Sequence, residues 1–253
     1  MIEKEIGDCK YYIDPYIGCQ FSCSYCFSQN DSPGIHGEDL YLHEDYEKRL
    51  REEIKHIEPQ KVYIGFATDP YQPIEEELNQ TKTTLEVLDE NGFTVSLLTK
   101  SQGIMRDRHI IKRMAGSSVG TSVAFREESY RSLFEPLTPD NEYRLNILKE
   151  FREDNIHTFI LICPIIPYIT DIEYLIAKSA PHARDIWFYR LILNTREDRS
   201  WNNFMKIMHK LNPEYLEKYG DIFFDTKHEF WEELRERLWN YQNSSKLNLK
   251  IFI

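Results

Sequence analysis

The chain has 253 residues, a formal net charge of −11, 41% hydrophobic and 29% charged residues; that length suits one α/β barrel-sized domain with a substantial core. The acidic balance works against a nucleic-acid polymer as partner, because phosphates call for a face rich in Lys and Arg, and no run of about 18 apolar residues predicts a membrane span. The charged start Met1-Ile2-Glu3-Lys4-Glu5 lacks the apolar core of a signal peptide, and five cysteines, three of them clustered, point to a reducing, cytoplasmic setting.

Taken in order, residues 10–14 form a β-prone first strand ended by Pro15. The cysteines follow it directly, in Cys19-Gln20-Phe21-Ser22-Cys23-Ser24-Tyr25-Cys26. Residues 30–41 are rich in Asn, Asp, Ser, Pro and Gly and read as loop. Tyr46, Leu50 and Ile54 predict an amphipathic helix over 44–56. Residues 62–66 form the second strand, followed by the stiff loop Thr68-Asp69-Pro70-Tyr71-Gln72-Pro73 and a helix over 81–91 stopped by Gly92. The third strand, 93–98, leads into Thr99-Lys100-Ser101, and a basic helix spans 104–114. Strand four covers 118–125 and contains Thr121-Ser122, with a helix over 139–153 behind it. Strand five, 157–162, is closed by Cys163-Pro164; a helix at 171–179, strand six at 185–191 and a helix at 200–211 complete the alternation.

The tail changes character. Phe230, Trp231, Leu234, Leu238 and Trp239 place a charged amphipathic helix, and Leu247, Leu249, Ile251 and Ile253 alternate as an edge strand. Six strands alternating with helices predict a parallel sheet with helices outside, an α/β partial (β/α)6 TIM-type barrel over 1–212 with a helical and edge-strand cap over 213–253.

In such folds the chemistry gathers at the C-terminal ends of the strands. The cysteine loop, Thr68–Pro73, Thr99–Ser101, Thr121-Ser122, Cys163–Pro167 and Arg190–Asn194 would therefore ring one mouth. Three thiolates spaced x3 then x2 suit three corners of a 4Fe-4S cluster and leave one iron without a protein ligand. A zinc site would want a fourth Cys or His at ligand spacing, which neither Cys9 nor His36 supplies. A metal-binding or redox-sensing module without turnover is the competing reading.

With that spacing set on a β/α chain, the sequence resembles the radical SAM superfamily, and within it the spore photoproduct lyase-like group. The matching stretches are Asp14-Pro15-Tyr16-Ile17-Gly18-Cys19, Ala67-Thr68-Asp69-Pro70-Tyr71-Gln72-Pro73-Ile74-Glu75, Leu98-Thr99-Lys100-Ser101, Phe134-Glu135-Pro136-Leu137, Tyr143-Arg144-Leu145 and Cys163-Pro164-Ile165-Ile166-Pro167. The resemblance implies that Cys19, Cys23 and Cys26 hold a 4Fe-4S cluster whose open iron binds S-adenosyl-L-methionine. Reductive cleavage by a one-electron donor such as flavodoxin or ferredoxin would then yield a 5'-deoxyadenosyl radical that takes hydrogen from a substrate. It also implies cofactor contacts from Tyr25, Thr68, Asp69, Lys100 and Ser122.

Each of these has a plainer reading: Asp69 as a turn cap, Lys100 as a solvated strand-end lysine, Ser122 as the filler of a small slot. Phe27 and Ala67 stand where the lyase has the tyrosine and cysteine of its hydrogen relay, so thymine-dimer repair is not expected. Cys163 is a candidate hydrogen donor or a buried small hydrophobe. Arg190 and Asn194 are candidate substrate ligands, with a salt bridge as the alternative for Arg190. The substrate expected is a small molecule or peptide; nucleic-acid modification by the same chemistry is the alternative, motivated by the basic segment 106–113.

Overall fold

The strands stand in the sheet in the order of the sequence. In the computed structural model, which describes residues 2–6, 9–31 and 40–253, they are β1 (Ile2–Ile6), β2 (Cys9–Ile13), β3 (Lys61–Ile64), β4 (Thr94–Leu98), β5 (Ser118–Val123), β6 (His157–Ile165), β7 (Asp185–Arg190) and β8 (Asn248–Phe252). Each pairs with the next; β1 is antiparallel to β2 and all later pairs are parallel. Seven parallel strands thus curve into a half-barrel. The helices are α1 (Ser28–Asp31), α2 (Tyr46–Ile54), α3 (Glu75–Leu78), α4 (Gln80–Glu90), α5 (Arg108–Arg113), α6 (Glu128–Phe134), α7 (Asn141–Glu153), α8 (Ile172–Ser179), α9 (Arg199–Leu211), α10 (Leu216–Phe224) and α11 (Glu229–Ser244). The middle of the predicted loop, with His36, lies outside the described residues.

The partial-barrel expectation holds, with four local corrections. Residues 2–6 add a strand that a charged run did not announce; it exists through its antiparallel ladder to β2. Strand five does not stop at Cys163-Pro164 but continues to Ile165, across a register shift between Ile162 and Ile165 that inserts an extra residue opposite β7. The basic helix splits: Ser101 Oγ accepts the Gly103 N–H at 3.1 Å and starts a tight 3-10 turn over Gln102–Asp107 before α5 begins. The tail contributes the additional helix α10 before α11 and β8.

β5 and β6 are buried on both faces, as parallel strands covered by helices require. The tail helix α11 buries Trp231, Leu234 and Leu238, and Trp231 Nε1 donates to the Ile222 carbonyl of α10 at 2.7 Å. Trp239 points away and is exposed. Strand β8 then pairs with β7 from Asp185↔Asn248 to Tyr189↔Phe252, continuing the sheet.

Candidate active site

The cysteine loop leaves β2 through Asp14, whose carboxylate accepts the Phe66 and Ala67 N–H groups at 2.9 and 2.8 Å. Those two amides are turned toward it by Gly65, which sits at φ +94°, and a Cβ there would lie 2.3 Å from the Leu98 carbonyl oxygen. Only glycine fits that close, left-handed passage. The next segment holds the loop from the other side. Thr68 Oγ1 donates to the Gly18 carbonyl, and Gln72, fully buried, donates from Nε2 to Gly18 O and Thr68 Oγ1 and accepts the Gln20 N–H at 2.8 Å. Gln72→Ala takes the acceptor from the Gln20 N–H and a donor from Gly18 O and Thr68 Oγ1, a loss of about 1–3 kcal/mol. It is expected to lower the thermal midpoint and the iron retained after desalting, and an unchanged iron content would show that Gln72 does not fix the loop.

The far end of the loop rests on Glu135, a fully buried carboxylate 110 residues away in sequence. Tyr25 Oη donates to Glu135 Oε1, and Arg144 Nη2 and Thr138 Oγ1 donate to Oε2. Arg144 also donates from Nη1 to the Ser122 carbonyl of β5 at 2.9 Å, and the Ser24 N–H to the Phe134 carbonyl at 2.9 Å. Burial alone would raise the Glu135 carboxyl, but the Arg144 and Lys100 cations and the Tyr25 hydrogen bond hold it below its ordinary range. Lys100 behaves conversely: burial would strip its proton, yet the negative charge of Glu135 keeps its ammonium well above the usual value. The plain alternative of a solvated lysine does not describe it.

Cys19, Cys23, Tyr25, Cys26, Thr68, Asp69, Lys100, Ser122, Cys163 and Arg190 all line one cavity of about 320 Å3 inside the half-barrel. Asp69 is committed to the framework, accepting from the Tyr71 N–H, Thr99 Oγ1 and the Lys100 N–H at 2.9, 2.6 and 2.8 Å; it therefore closes a turn and ties the β3 loop to the β4 loop at the cavity wall. Ser122 Oγ is buried with no partner among the described residues, and so is Arg190 Nη1. Asn194 is not brought to the cavity: it is exposed, and its backbone N–H is held by Asp198 at 2.7 Å. Phe27 and Ala67 do line it, with Phe27 against Phe66 at 5.1 Å between ring centroids. Sequence reasoning missed Glu135, Arg144 and Gln72 as individual supports; the Glu135-Pro136 and Tyr143-Arg144 motifs were visible, but their meeting at Tyr25 was not.

The donor set suits a cluster. All described cysteines are free thiols. Burial pushes the Cys19 thiol up to about 12, raises Cys23 and takes Cys163 to about 12, so their charged forms are unfavourable until a cation compensates them. Among the described residues no three His, Cys, Asp or Glu side chains converge as a single-ion site requires. A cluster asks less of them, since each thiolate takes a different iron. The basic segment, by contrast, is spent internally: Arg106 pairs with Glu75 and Asp107, Arg108 with Glu150 and Asp154, Lys112 with Asp154 and Arg113 with Asp89.

A family model described as the Radical SAM superfamily matches residues 13–177. An uncharacterized protein of Methanocaldococcus jannaschii is 31% identical over 206 residues, 80% of this chain and 77% of that protein. Among solved structures, a spore photoproduct lyase variant with bound AdoMet and dinucleoside spore photoproduct superposes with a TM-score of 0.69 at 13% identity, covering 99% of this chain and 78% of that one. Streptococcus suis SuiB bound to the precursor peptide SuiA superposes with a TM-score of 0.63 at 16% identity, covering 96% of this chain and 48% of that one.

Proposed function

The chain belongs to the radical SAM superfamily, and from that premise we propose that it is a cytoplasmic enzyme in which Cys19, Cys23 and Cys26 hold a 4Fe-4S cluster with S-adenosylmethionine beside it. Bound there and reduced by a flavodoxin- or ferredoxin-type donor, the pair supplies a 5'-deoxyadenosyl radical. The observation that carries the reading is the convergence of the three thiols, Lys100, Ser122, Thr68, Asp69 and Tyr25 on one cavity at the C-terminal ends of the strands.

The chain's own residues have distinct tasks in it. Lys100, kept cationic by Glu135, pairs with the carboxylate of the cofactor's methionine. Ser122 Oγ, buried and unpartnered, turns its free hydroxyl to the same ligand. Thr68 and Asp69 fix the loop facing the methionine amino group, and Tyr25 is held by Glu135 against the cluster side of the cavity. Phe27 and Ala67 supply no hydrogen to a substrate radical, and Cys163, in the cavity wall with its sulfur protonated, is the group that has one to give. The substrate side begins at Arg190; Asn194 lies away from it. A small molecule or peptide fits this site better than a nucleic acid, given the chain's acidic charge and the internally paired arginines of 106–113.

Anaerobic reconstitution followed by dithionite reduction in the presence of S-adenosylmethionine is expected to yield 5'-deoxyadenosine. A fully loaded cluster that yields none would end this reading. Protein purified anaerobically with zinc and no iron would favour a non-catalytic metal module instead.

A further inference from the structure

The buried guanidinium groups of the described residues are paired. Arg144 binds Glu135, Thr138 and two carbonyls, and Arg131 binds Glu128, the Glu135 carbonyl and Thr138. Arg190, half-buried in the cavity wall, differs. It ends β7 opposite Ile165, beside the Cys163-Pro164 segment that lines the same cavity, and among the described residues no acid pairs with it. Its Nη1 is shut off from solvent with nothing to donate to. Three residues earlier on the same strand, Trp187 Nε1 is likewise buried and without a partner among the described residues. Donors shut off from solvent and left unmade are destabilising. The acids that share this wall are already engaged: Asp69 by the β4 loop, Asp185 by His157 and Asn248 at 2.9 and 2.6 Å.

We infer that the substrate is a small oxyanion, a carboxylate or phosphate ester, whose anionic group is received by the Arg190 guanidinium, with the Trp187 indole N–H as a second donor to the same molecule. The wall beyond the cofactor groups is lined by the rings of Tyr63, Phe159 and Tyr189, so a planar or apolar body attached to the anion is accommodated. A planar guanidinium fork binds an oxyanion through two parallel hydrogen bonds, which fixes orientation as well as charge. One guanidinium fork receives one anionic group; a polyanion would need a row of cations along an open face. This inference rests on the proposed placement of the cofactor in the same cavity, and it names what lies on the cavity's other side.

The test uses cluster-loaded protein saturated with S-adenosylmethionine, titrated calorimetrically with benzoate, phenyl phosphate and the neutral benzyl alcohol. At least one anion is expected to bind saturably and the alcohol not to, the preferred anion telling carboxylate from phosphate. Arg190→Gln is expected to weaken that binding at least about tenfold, Trp187→Phe severalfold, and Arg190→Lys to fall between, because it keeps the charge and loses the fork. S-adenosylmethionine affinity should stay unchanged in all three, and Arg190→Gln should melt no lower than wild type, since it removes a cation that no acid among the described residues pairs with. Equal binding of anion and alcohol, equal binding to wild type and Arg190→Gln, or tighter, steeply salt-dependent binding of a single-stranded oligonucleotide would overturn the inference. Loss of S-adenosylmethionine binding by the wild type would instead count against the proposed function.

Discussion

Replacing any one of Cys19, Cys23 or Cys26 with alanine is expected to take the reconstituted protein from about four irons per chain to background and to abolish 5'-deoxyadenosine formation. The argument is one of ligand number. Three thiols are all that the loop offers, Cys9 and Cys163 being carried by β2 and β6, so the loss of one leaves a cluster with two protein ligands. The fold should survive, because the loop is fastened by groups other than its sulfurs: Asp14, Gln72 and Glu135 make its hydrogen bonds. Far-ultraviolet circular dichroism should therefore be unchanged in the three variants while the brown chromophore is lost. Cys9→Ser and Cys163→Ala serve as internal comparisons and should keep their iron; Cys163→Ala should also keep cofactor cleavage. Full iron in a Cys23→Ala protein would remove the basis for the assignment.

The second large effect is at Glu135. Glu135→Gln keeps the shape and one acceptor for Tyr25 but removes the charge that compensates Arg144 and faces Lys100. Breaking a buried pair by neutralising one partner costs about 3–5 kcal/mol, which for a domain of this size lowers the melting temperature by about 10 °C. Tyr25→Phe should cost less, about 1–3 kcal/mol, since it leaves the ion pair in place and removes one donor. The double variant should lose less than the sum of the singles, because both act on one network. A second consequence separates this from simple loosening. With Glu135 neutral, Lys100 loses the charge that outweighs its burial, so S-adenosylmethionine binding should weaken in Glu135→Gln at temperatures where both proteins are folded. A variant that melts within a degree of wild type and binds the cofactor equally would show that the carboxylate's charge is immaterial.

The contrast between what could be read from residues and what could not follows sequence distance. The cysteine spacing, the β/α alternation and the strand-end loops are local patterns, and the structure places those elements within a few residues of the expected bounds. Helix α10 was hidden because Gly220, a poor helix former, sits in its middle. Strand β1 was hidden because its only warrant is a partner strand. The Glu135 network joins residues 25, 100, 122, 135 and 144 through buried charge, and nothing local marks a glutamate as the one that will be fully buried. Asn194 was grouped with Arg190 by proximity in the chain, yet the backbone turns away after β7 and Asp198 holds that turn closed at the Asn194 and Thr195 positions. Arg190 itself was legible as a planar cation at a strand end, and only the structure shows that no acid among the described residues meets it.

The claim on which the whole account depends is that the three-cysteine loop leaves one iron open to the cofactor. Electron paramagnetic resonance of the dithionite-reduced protein, recorded with and without S-adenosylmethionine labelled with 15N at the methionine amino group, reads it most directly. The account predicts a changed spectrum on addition of the cofactor and a hyperfine coupling to the labelled nitrogen. An identical spectrum with no coupling, in protein carrying its full iron, would contradict it.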